Sequence, residues 1–337
     1  MKILLVDVGA GTQDLLLPIE GKSYENWVKA VLPSPTAKLA KAVDGWKGSV
    51  IRFNGYTMGG GPLKKAVLRF ISRGGRVVAT LPAAKSFSDD PNELKEWGIE
   101  VVESLPEADF TLTDLEFDLY RALFEMAGVE GGGFILGVAC QDHGFEEGQS
   151  DRVTRFNCLR ELLEEERRPE KLVYRGPTGK FSRFDSILEQ LKERGVEGFV
   201  MDSKLAAVAG VLQVAREQGV KSFLCLDCGN GHTLAAAVKD GVICALFEHH
   251  TRMLGADKLK NFMVKLLKGE LSFEEVFNDG GHGAVCFEPV EPEKVYLVGP
   301  NRKKFKELGE YAYPLGDAML FGCAGLVEAS RSLHFIS

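Results

Sequence analysis

The sequence lacks any apolar run that approaches the ~20 residues needed to cross a bilayer. Its N-terminus is a short strand-like run, ILLV, rather than a basic stretch followed by a long apolar segment. We therefore expect a cytoplasmic protein that has no membrane partner.

An excess of basic residues is also missing. The formal net charge is −7, and the 48 acidic and 41 basic residues are mixed along the chain. A broad cationic surface for nucleic acid is therefore not expected, and an anionic ligand would need a local site. The 337 residues, 45% of them hydrophobic, are enough for two domains with a buried core.

Cysteine patterns for metal chemistry are scarce. The C-x-x-x-C-x-x-C spacing of radical-SAM enzymes does not occur, and the seven cysteines are scattered through apolar segments, as expected for reduced core thiols. Cys225 and Cys228 form one C-x-x-C pair. Residues three apart on a strand point to opposite faces, so this pair is not expected to share a metal.

An Asp-x-Gly-x-Gly turn, in contrast, occurs twice, each time at the end of an apolar run. The first copy is VDVGAGTQDLLLPIEG, from Val6, and the second is LDCGNGHTLAAAVKDG, from Leu226. A shift of 220 residues aligns Asp7 with Asp227 and superimposes the glycines of both turns, and the strand-turn-strand context repeats as well. This repeat predicts two structurally related domains with a cleft between them.

The rest of the pattern is typical of an α/β protein. Three strands near the N-terminus and three more from residue 221 are joined by short turns, so we expect each set to be antiparallel. Strands and helices alternate over 134–218, which implies parallel strands, and a last helix is predicted over 316–330. We expect domain I to contain residues 1–218 and 316–337, with an α/β insertion at about 50–128, and domain II to contain residues 219–315.

Glycine-rich turns of this kind are suited to binding phosphate. Glycine has no Cβ and tolerates positive φ, so backbone N–H groups can approach phosphate oxygens closely. The aspartate before each turn cannot bind phosphate directly and would instead hold a hydrated Mg²⁺ or orient a water. A single copy would more simply be a hairpin turn, but two copies in matching contexts favour phosphate binding.

The two turns resemble the phosphate-1 and phosphate-2 motifs of the actin-like ATPase superfamily, which includes acetate and sugar kinases, hexokinases and Hsp70 chaperones. Residues 201–217 resemble its first connecting segment, and residues 316–329 resemble its second connecting helix. More narrowly, the chain resembles a functionally uncharacterised prokaryotic family that has this fold. Small residues in the two helices would let them approach closely and pivot; these are Ala206, Ala207, Ala209, Gly210, Gly322, Ala324 and Gly325.

This resemblance implies two duplicated ribonuclease H-like domains, each a mixed five-stranded sheet with flanking helices, around a cleft that binds ATP and Mg²⁺. Asp7 and Asp227 would hold the metal. The segment 294–308 takes the place of the adenosine motif, but Pro300 stands where a second glycine is usual. The other residues implied in cofactor binding are Gly9, Gly11, Thr12, Gln13, Gly229, Asn230, Gly231, His232, Thr233 and Gly299.

Residues 134–145 resemble the strand and turn that carry the GQ-x-H-G signature of some sugar kinases. Gln141, Asp142 and His143 would then lie at the edge of the cleft; the alternative is a polar loop after a buried strand. Phosphate transfer would need a base near the acceptor oxygen. Asp142 is the first candidate for that base and Glu248 is the second.

Four of the six histidines lie in the second domain near polar residues, and a metal or acid–base site is one interpretation of this clustering. The candidates for it are Glu248, His249, His250, Thr251, Asp279 and His282. Adjacent histidines on a strand point to opposite sides, so a structural metal site is not expected. We assign proton transfer to His250 and substrate binding to His143, His249, Thr251 and His282, with a satisfied structural network as the alternative.

Residues 54–65, NGYTMGGGPLKK, lack the Gly-Lys-Ser/Thr ending of a P-loop. We expect them to form a flexible loop, and the alternative is an anion site at the start of the following helix. The charge run RELLEEERRPEK is expected to form a solvated helix face.

Three functions are compatible with these patterns. The first is an ATPase or phosphotransferase that acts on an unidentified small molecule. The second, motivated by Pro300 and by the absence of an unambiguous base, is a non-catalytic ligand sensor or scaffold. The third is a hydrolase or lyase that uses Glu248, His249, His250 and His282. Whether the chain forms a homo-oligomer is open.

Overall fold

The N-terminal third of the chain begins a mixed sheet and then builds a separate parallel one. The computed structural model describes residues 2–129 and 132–336. Ser34 caps the first helix by accepting a hydrogen bond from the N–H of Ala37, and Pro35 suits its first turn. The elements are β1 (Ile3–Val8), β2 (Thr12–Leu17), β3 (Val28–Pro33), α1 (Pro35–Asp44), β4 (Val50–Gly55), α2 (Gly61–Ser72), β5 (Arg76–Thr80), α3 (Leu81–Lys85), α4 (Pro91–Glu96), β6 (Ile99–Val102), β7 (Phe110–Leu112) and α5 (Phe117–Met126).

The insertion has its own four-stranded parallel sheet, in the order β6-β5-β4-β7, and its own hydrophobic core. Helix α5 does not belong to that core. Its residues Phe117, Tyr120, Leu123 and Phe124 pack with the strands of the first sheet instead. The inserted unit therefore ends structurally with β7.

The middle of the chain completes the first sheet. Its elements are β8 (Ile135–Cys140), α6 (Asp151–Glu165), β9 (Val173–Tyr174), α7 (Ser182–Glu193), β10 (Glu197–Asp202) and α8 (Ser203–Glu217). The strand order is β3-β2-β1-β8-β10-β9, in which β1, β8 and β10 run parallel to one another. The connections between these parallel strands place helices against the sheet.

The second sheet repeats this plan. The elements of this half are β11 (Ser222–Cys228), β12 (His232–Lys239), β13 (Val242–His250), α9 (Ala256–Leu267), α10 (Phe273–Asn278), β14 (Gly283–Cys286), β15 (Lys294–Val298) and β16 (Glu310–Tyr311). The last helix, α11 (Phe321–Ser332), returns to pack against β1, β2 and β8 of the first sheet. The strand order is β14-β13-β12-β11-β15-β16. Three antiparallel strands followed by two parallel ones are thus common to both sheets.

The duplication extends to the strand register. Asp7 pairs with Asp14 across β1 and β2, and Asp227 pairs with Leu234 across β11 and β12, at the same 220-residue offset. The fold class expected from the resemblance is therefore confirmed. The expected strand count was wrong, because the described residues give each sheet six strands: β9 extends the first sheet, and β14 extends the second at the opposite edge.

Helices α8 and α11 pack together in the largest hydrophobic core, which also receives side chains from both mixed sheets. A Cβ at Gly210 would overlap the carbonyl oxygen of Phe321, and a Cβ at Gly325 would overlap that of Ala206. The predicted close approach through small residues is confirmed at these two positions. Gly322 has another role, since a Cβ there would overlap the carboxylate of Asp7.

The seven cysteines are unpaired. Cys225 and Cys228 both lie on β11 but belong to different hydrophobic clusters, which confirms that they point to opposite faces of the sheet. Within residues 2–129 and 132–336, no helix is both long and apolar enough to span a bilayer.

Candidate functional site

The two glycine-rich turns are closed by equivalent backbone hydrogen bonds. The N–H of Gly9 donates to the carbonyl of Thr12 at 2.9 Å, and the N–H of Gly229 donates to that of His232 at 3.0 Å. The third strand of each sheet joins the turn in the same way: the carbonyl of Gly11 accepts from Ser34 and that of Gly231 accepts from Thr251. The internal repeat therefore includes the geometry of both turns.

Both turns open onto one cleft of about 910 Å³. Gly9 and Ala10 line it from the first turn, and Gly231 and His232 line it from the second. A Cβ at Gly11 or Gly231 would meet no atom within 4 Å, so the tip of each turn is accessible. An anionic group could therefore approach the backbone of both turns.

Asp7 is the acidic residue beneath the first turn. Its side chain is buried, and it has no hydrogen bond within the described part of the chain. Burial, followed by the nearby carboxylates of Asp14 and Asp227, raises the pKa of Asp7 well above its ordinary value. A buried carboxylate that has acidic neighbours suits a cation, and Asp7 leaves Oδ1 for it, because Oδ2 packs against Gly322. Asp7 therefore fits the role of holding a hydrated Mg²⁺.

Asp14, opposite Asp7 on β2, should make stability depend on pH. Burial raises the pKa of Asp14 to about 7, well above the ~3.9 of an unfolded chain. Its stabilising contribution is complete below pH ~4 and is lost as pH rises through the folded pKa. From pH 5 to pH 7, the free energy of unfolding should therefore fall by about 2 kcal/mol more in the wild type than in Asp14→Asn. Urea unfolding at both pH values tests this, with exposed Asp118→Asn as the charge control; equal losses in wild type and Asp14→Asn would contradict it.

Asp227 differs from Asp7 because a buried lysine neutralises it. Lys204, near the start of α8, places Nζ 2.6 Å from Asp227 Oδ2 and 2.9 Å from the carbonyl of His232. Burial raises the pKa of Asp227, and the Lys204 ammonium opposes that shift. A Cβ at Gly229 would lie 2.6 Å from this Nζ, and one at Gly299 would lie 2.7 Å from Asp227 Oδ1. The cation beneath the second turn is thus a protein side chain, and Asp227 fits a metal less well than Asp7 does.

Several residues expected to contact the cofactor instead form the framework of the turns. Gln13 is fully buried and bonds to Glu116 and to the carbonyl of Pro33. Thr233 lies 3.0 Å from the hydroxyl of Thr251, which donates to the carbonyl of Gly229.

The adenosine-motif segment also packs against the second turn. The side chain of Asn301 bonds to the side chain of Asn230 and to the carbonyl of Gly229. Gly299 faces Asp227 and does not line the cleft, whereas Thr12 is half-buried at the start of β2.

Asp142 lies at the cleft edge, as expected, but both of its carboxylate oxygens are occupied. They accept hydrogen bonds from the backbone N–H groups of Gly144, at 2.9 Å, and Arg183, at 2.8 Å. Burial raises the pKa of Asp142, and these two donors oppose the rise. Asp142 therefore shapes its loop, and each of its oxygens already accepts one backbone hydrogen bond.

Glu248 is likewise engaged. It is fully buried on β13, and Arg155 donates to both of its oxygens, at 2.7 and 3.2 Å. Burial acts to raise the pKa of Glu248, but the charge of Arg155 outweighs it and holds that pKa well below the ordinary value. Arg155 also bonds to Asp202, at 2.9 Å, and to the carbonyl of Asp142. Glu248 is therefore a structural ion-pair partner that joins the second sheet to α6 and β10.

The histidines divide into two groups. His249 lies on the opposite face of β13 from Glu248 and His250, and its Nε2 lies 3.0 Å from Asp279 Oδ2. His250 has its ring centre 4.8 Å from that of His232 and 5.0 Å from that of His282. His143 joins this second group from the first sheet. The structure therefore does not bring Glu248, His249, His250 and His282 together as one acid–base set.

The glycine-rich segment before α2 is anchored. The N–H of Met58 donates to Ser86 Oγ at 2.9 Å, and the N–H of Gly59 donates to the carboxylate of Asp114. A Cβ at Gly60 would overlap the carbonyl of Ser86. These contacts hold the segment at the cleft wall, so the expectation of a merely flexible loop was wrong.

A family model described as "Putative pyruvate format-lyase activating enzyme (DUF1786)" matches residues 58–304. The chain belongs to this family. Among the described residues, no cysteine is part of a group that could bind a metal ion, so an iron–sulfur cluster held by cysteines does not fit this chain. No curated protein matches the sequence.

Several solved structures are similar to the chain in overall fold. A Bacteroides thetaiotaomicron protein with an actin-like ATPase fold and unknown function is 8% identical, with a TM-score of 0.41 over 97% of this chain and 95% of that one. A Listeria monocytogenes "putative N-acetylmannosamine kinase" is 9% identical and has a TM-score of 0.39, and the match covers 99% of this chain and 100% of that one. A Cytophaga hutchinsonii exopolyphosphatase is 12% identical and has a TM-score of 0.32, and the match covers 89% of this chain and 67% of that one. At these identities the likeness concerns the fold alone.

Proposed function

We propose that this chain binds ATP with Mg²⁺ in the cleft between its two mixed sheets and acts as an ATPase or a phosphotransferase on a small molecule. The observation that carries the proposal is the pair of turns. They have equivalent hydrogen bonds, are accessible at Gly11 and Gly231, and open onto the same cleft. Two such turns can hold phosphate groups from two sides.

Different groups around the turns would interact with the phosphates and with the metal. Backbone N–H groups at the accessible tips bind phosphate oxygens, and Lys204 supplies a buried positive charge beneath the second turn. Asp7 orients the water shell of the metal. Mg²⁺, when bound, neutralises phosphate charge that develops during transfer. Closure of the two domains over the nucleotide would exclude water from the cleft. In this closure, residues 1–218 and 316–337 would move as one domain against residues 219–315, with α8 and α11 between the two.

A second candidate is binding without turnover, as in a sensor or scaffold. The observation that favours it is the state of the two expected bases, since Asp142 and Glu248 both use their oxygens in structural hydrogen bonds. Pro300, in place of the usual glycine, points the same way. Mg–ATP binding with no phosphate release, with or without sugars and small carboxylic acids, would select this candidate over the enzyme.

Replacing Asp7 by asparagine should selectively remove the magnesium dependence of ATP binding. The amide keeps the shape of the buried side chain but loses the charge that would hold the hydrated cation. We expect calorimetric titration to show at least ~10-fold weaker Mg–ATP binding, or about 1.4 kcal/mol, with ATP alone unaffected. Exposed Asp118→Asn is the charge-matched control. Equal Mg–ATP affinities for wild type and Asp7→Asn, or no binding by wild type, would refute the proposal.

A further inference from the structure

We propose that His143, His232 and His282 form a binding site for a transition-metal ion that prefers imidazole ligands, of which Zn²⁺ is the natural probe. One ring nitrogen from each histidine lies within 4.8 Å of the others. Nitrogens bound to one tetrahedral Zn²⁺ are about 3.3 Å apart, because each Zn–N bond is about 2.0–2.1 Å. Ring shifts of about 1 Å would therefore complete the site.

His282 provides an independent indication of a ligand. Its side chain is fully buried, and neither ring nitrogen has a hydrogen-bond partner. Its position is fixed by the backbone, since its N–H donates to the carbonyl of Glu248 at 2.9 Å. Its ring centre lies 4.7 Å from that of His232. A buried polar side chain without a partner is costly, and a metal at the centre of the cluster would satisfy one of the two ring nitrogens.

The protonation state of the three rings suits a metal. Burial lowers the pKa of His143 to about 4, of His232 to about 2 and of His282 to about 3. All three imidazoles are therefore neutral near pH 7, as metal ligation requires.

Surrounding hydrogen bonds orient one of the proposed ligands. The amide of Gln141 lies 3.2 Å from Nδ1 of His232 and also donates to Glu248 at 3.0 Å. Arg155 in turn fixes Glu248. Outer hydrogen bonds of this kind set the ring orientation of metal-bound histidines.

The cluster also joins the two sheets. His143 follows β8 of the first sheet, whereas His232 begins β12 and His282 precedes β14 in the second. His143 and His232 line the cleft. Three protein ligands leave a fourth position, which water or an oxygen of a ligand bound in the cleft could take. The site is therefore of the open type, and metal binding would link the two sheets.

The test uses full-length protein without a histidine tag, stripped with a chelator and studied without nucleotide. Competition titration with Zn²⁺ should show one tight site per chain, and Co²⁺ should give the visible absorption of a tetrahedral complex. His143→Gln, His232→Gln and His282→Gln should each weaken Zn²⁺ binding by at least 10-fold. The control His334→Asn removes an exposed histidine that is not part of the cluster, and this variant should bind Zn²⁺ as tightly as wild type.

Zn²⁺ should also raise the melting temperature of the wild type, whereas equimolar Mg²⁺ should not. Because this measurement needs only the wild type, it tests the metal site even if the substituted chains fail to fold. The proposal is overturned if wild type shows no stoichiometric site, if folded His282→Gln binds as tightly as wild type, or if Zn²⁺ leaves the melting temperature unchanged. Because nucleotide is absent throughout, none of these outcomes depends on the ATP proposal.

Discussion

Replacing Arg155 by methionine should lower the free energy of unfolding by about 3–5 kcal/mol, the cost of leaving a buried charge without its partner. Arg155 is fully buried on α6 and donates four hydrogen bonds to Glu248, Asp202 and the carbonyl of Asp142. Methionine fills similar space, but among the described residues it leaves the Glu248 carboxylate with the amide of Gln141 as its one hydrogen-bond donor. Urea unfolding at pH 7 measures the loss.

Arg160→Met is the matched control, since it lies on the same helix but is 46% exposed beside Glu164, at 3.9 Å. We expect it to change stability by less than about 0.5 kcal/mol. Adding Glu248→Leu to Arg155→Met should recover part of the loss, because the uncompensated carboxylate is removed. Equal effects of Arg155→Met and Arg160→Met would show that the buried ion pair does not stabilise the chain.

Replacing Gly231 by aspartate should weaken Mg–ATP binding at least ~100-fold, or about 2.7 kcal/mol, while leaving the fold intact. Gly231 is exposed at the tip of the second turn, and a Cβ there would meet no atom within 4 Å. The new side chain therefore has room, but its negative charge would occupy the space from which a phosphate approaches. Ala10→Asp should have a similar effect at the first turn, because Ala10 is exposed and lines the same cleft.

The sequence was a good guide to the strands and to the repeat. Apolar runs bounded by glycine, and the Asp-x-Gly-x-Gly turns, are local signals, and the structure has β1, β2, β11 and β12 where those signals occur. The last helix was predicted to begin at Gly316 but begins at Phe321. Leu315 and Gly316 have φ angles of 54° and 74°, which a regular right-handed α-helix does not include. That break depends on packing and has no clear local pattern.

The additional strands could not be predicted in the same way. β9 has two residues and β14 has four, too few for any alternation of apolar and polar side chains to appear. Both are edge strands that exist because a neighbouring strand offers unpaired hydrogen bonds.

The candidate site was predictable in part. The turns were found from a repeat, but the buried cations that surround them were missed. Arg155 lies in a charged helix and Lys204 lies at the start of an apolar one, and only the fold brings each beside its carboxylate. A lysine within the otherwise apolar run after Asp202 is the one local sign that could have pointed to Lys204.

The histidine cluster shows the same dependence on tertiary structure. The sequence drew attention to the histidines of the second domain, yet the set brought together includes His143 from the first sheet and leaves out His249. The alternation of side chains along β13 explains the exclusion of His249. The approach of His143 required the folded arrangement of the two sheets.

The most direct test of the paired-turn account is calorimetric titration of Mg–ATP into wild type, Gly231→Asp and Gly176→Asp. Gly176 is also exposed, and a Cβ there would also meet no atom within 4 Å, but it lies outside the cleft. The account predicts that wild type and Gly176→Asp bind alike and that Gly231→Asp, with an unchanged melting temperature, binds at least ~100-fold more weakly. Equal affinity for all three chains, or no binding by any of them, would contradict it.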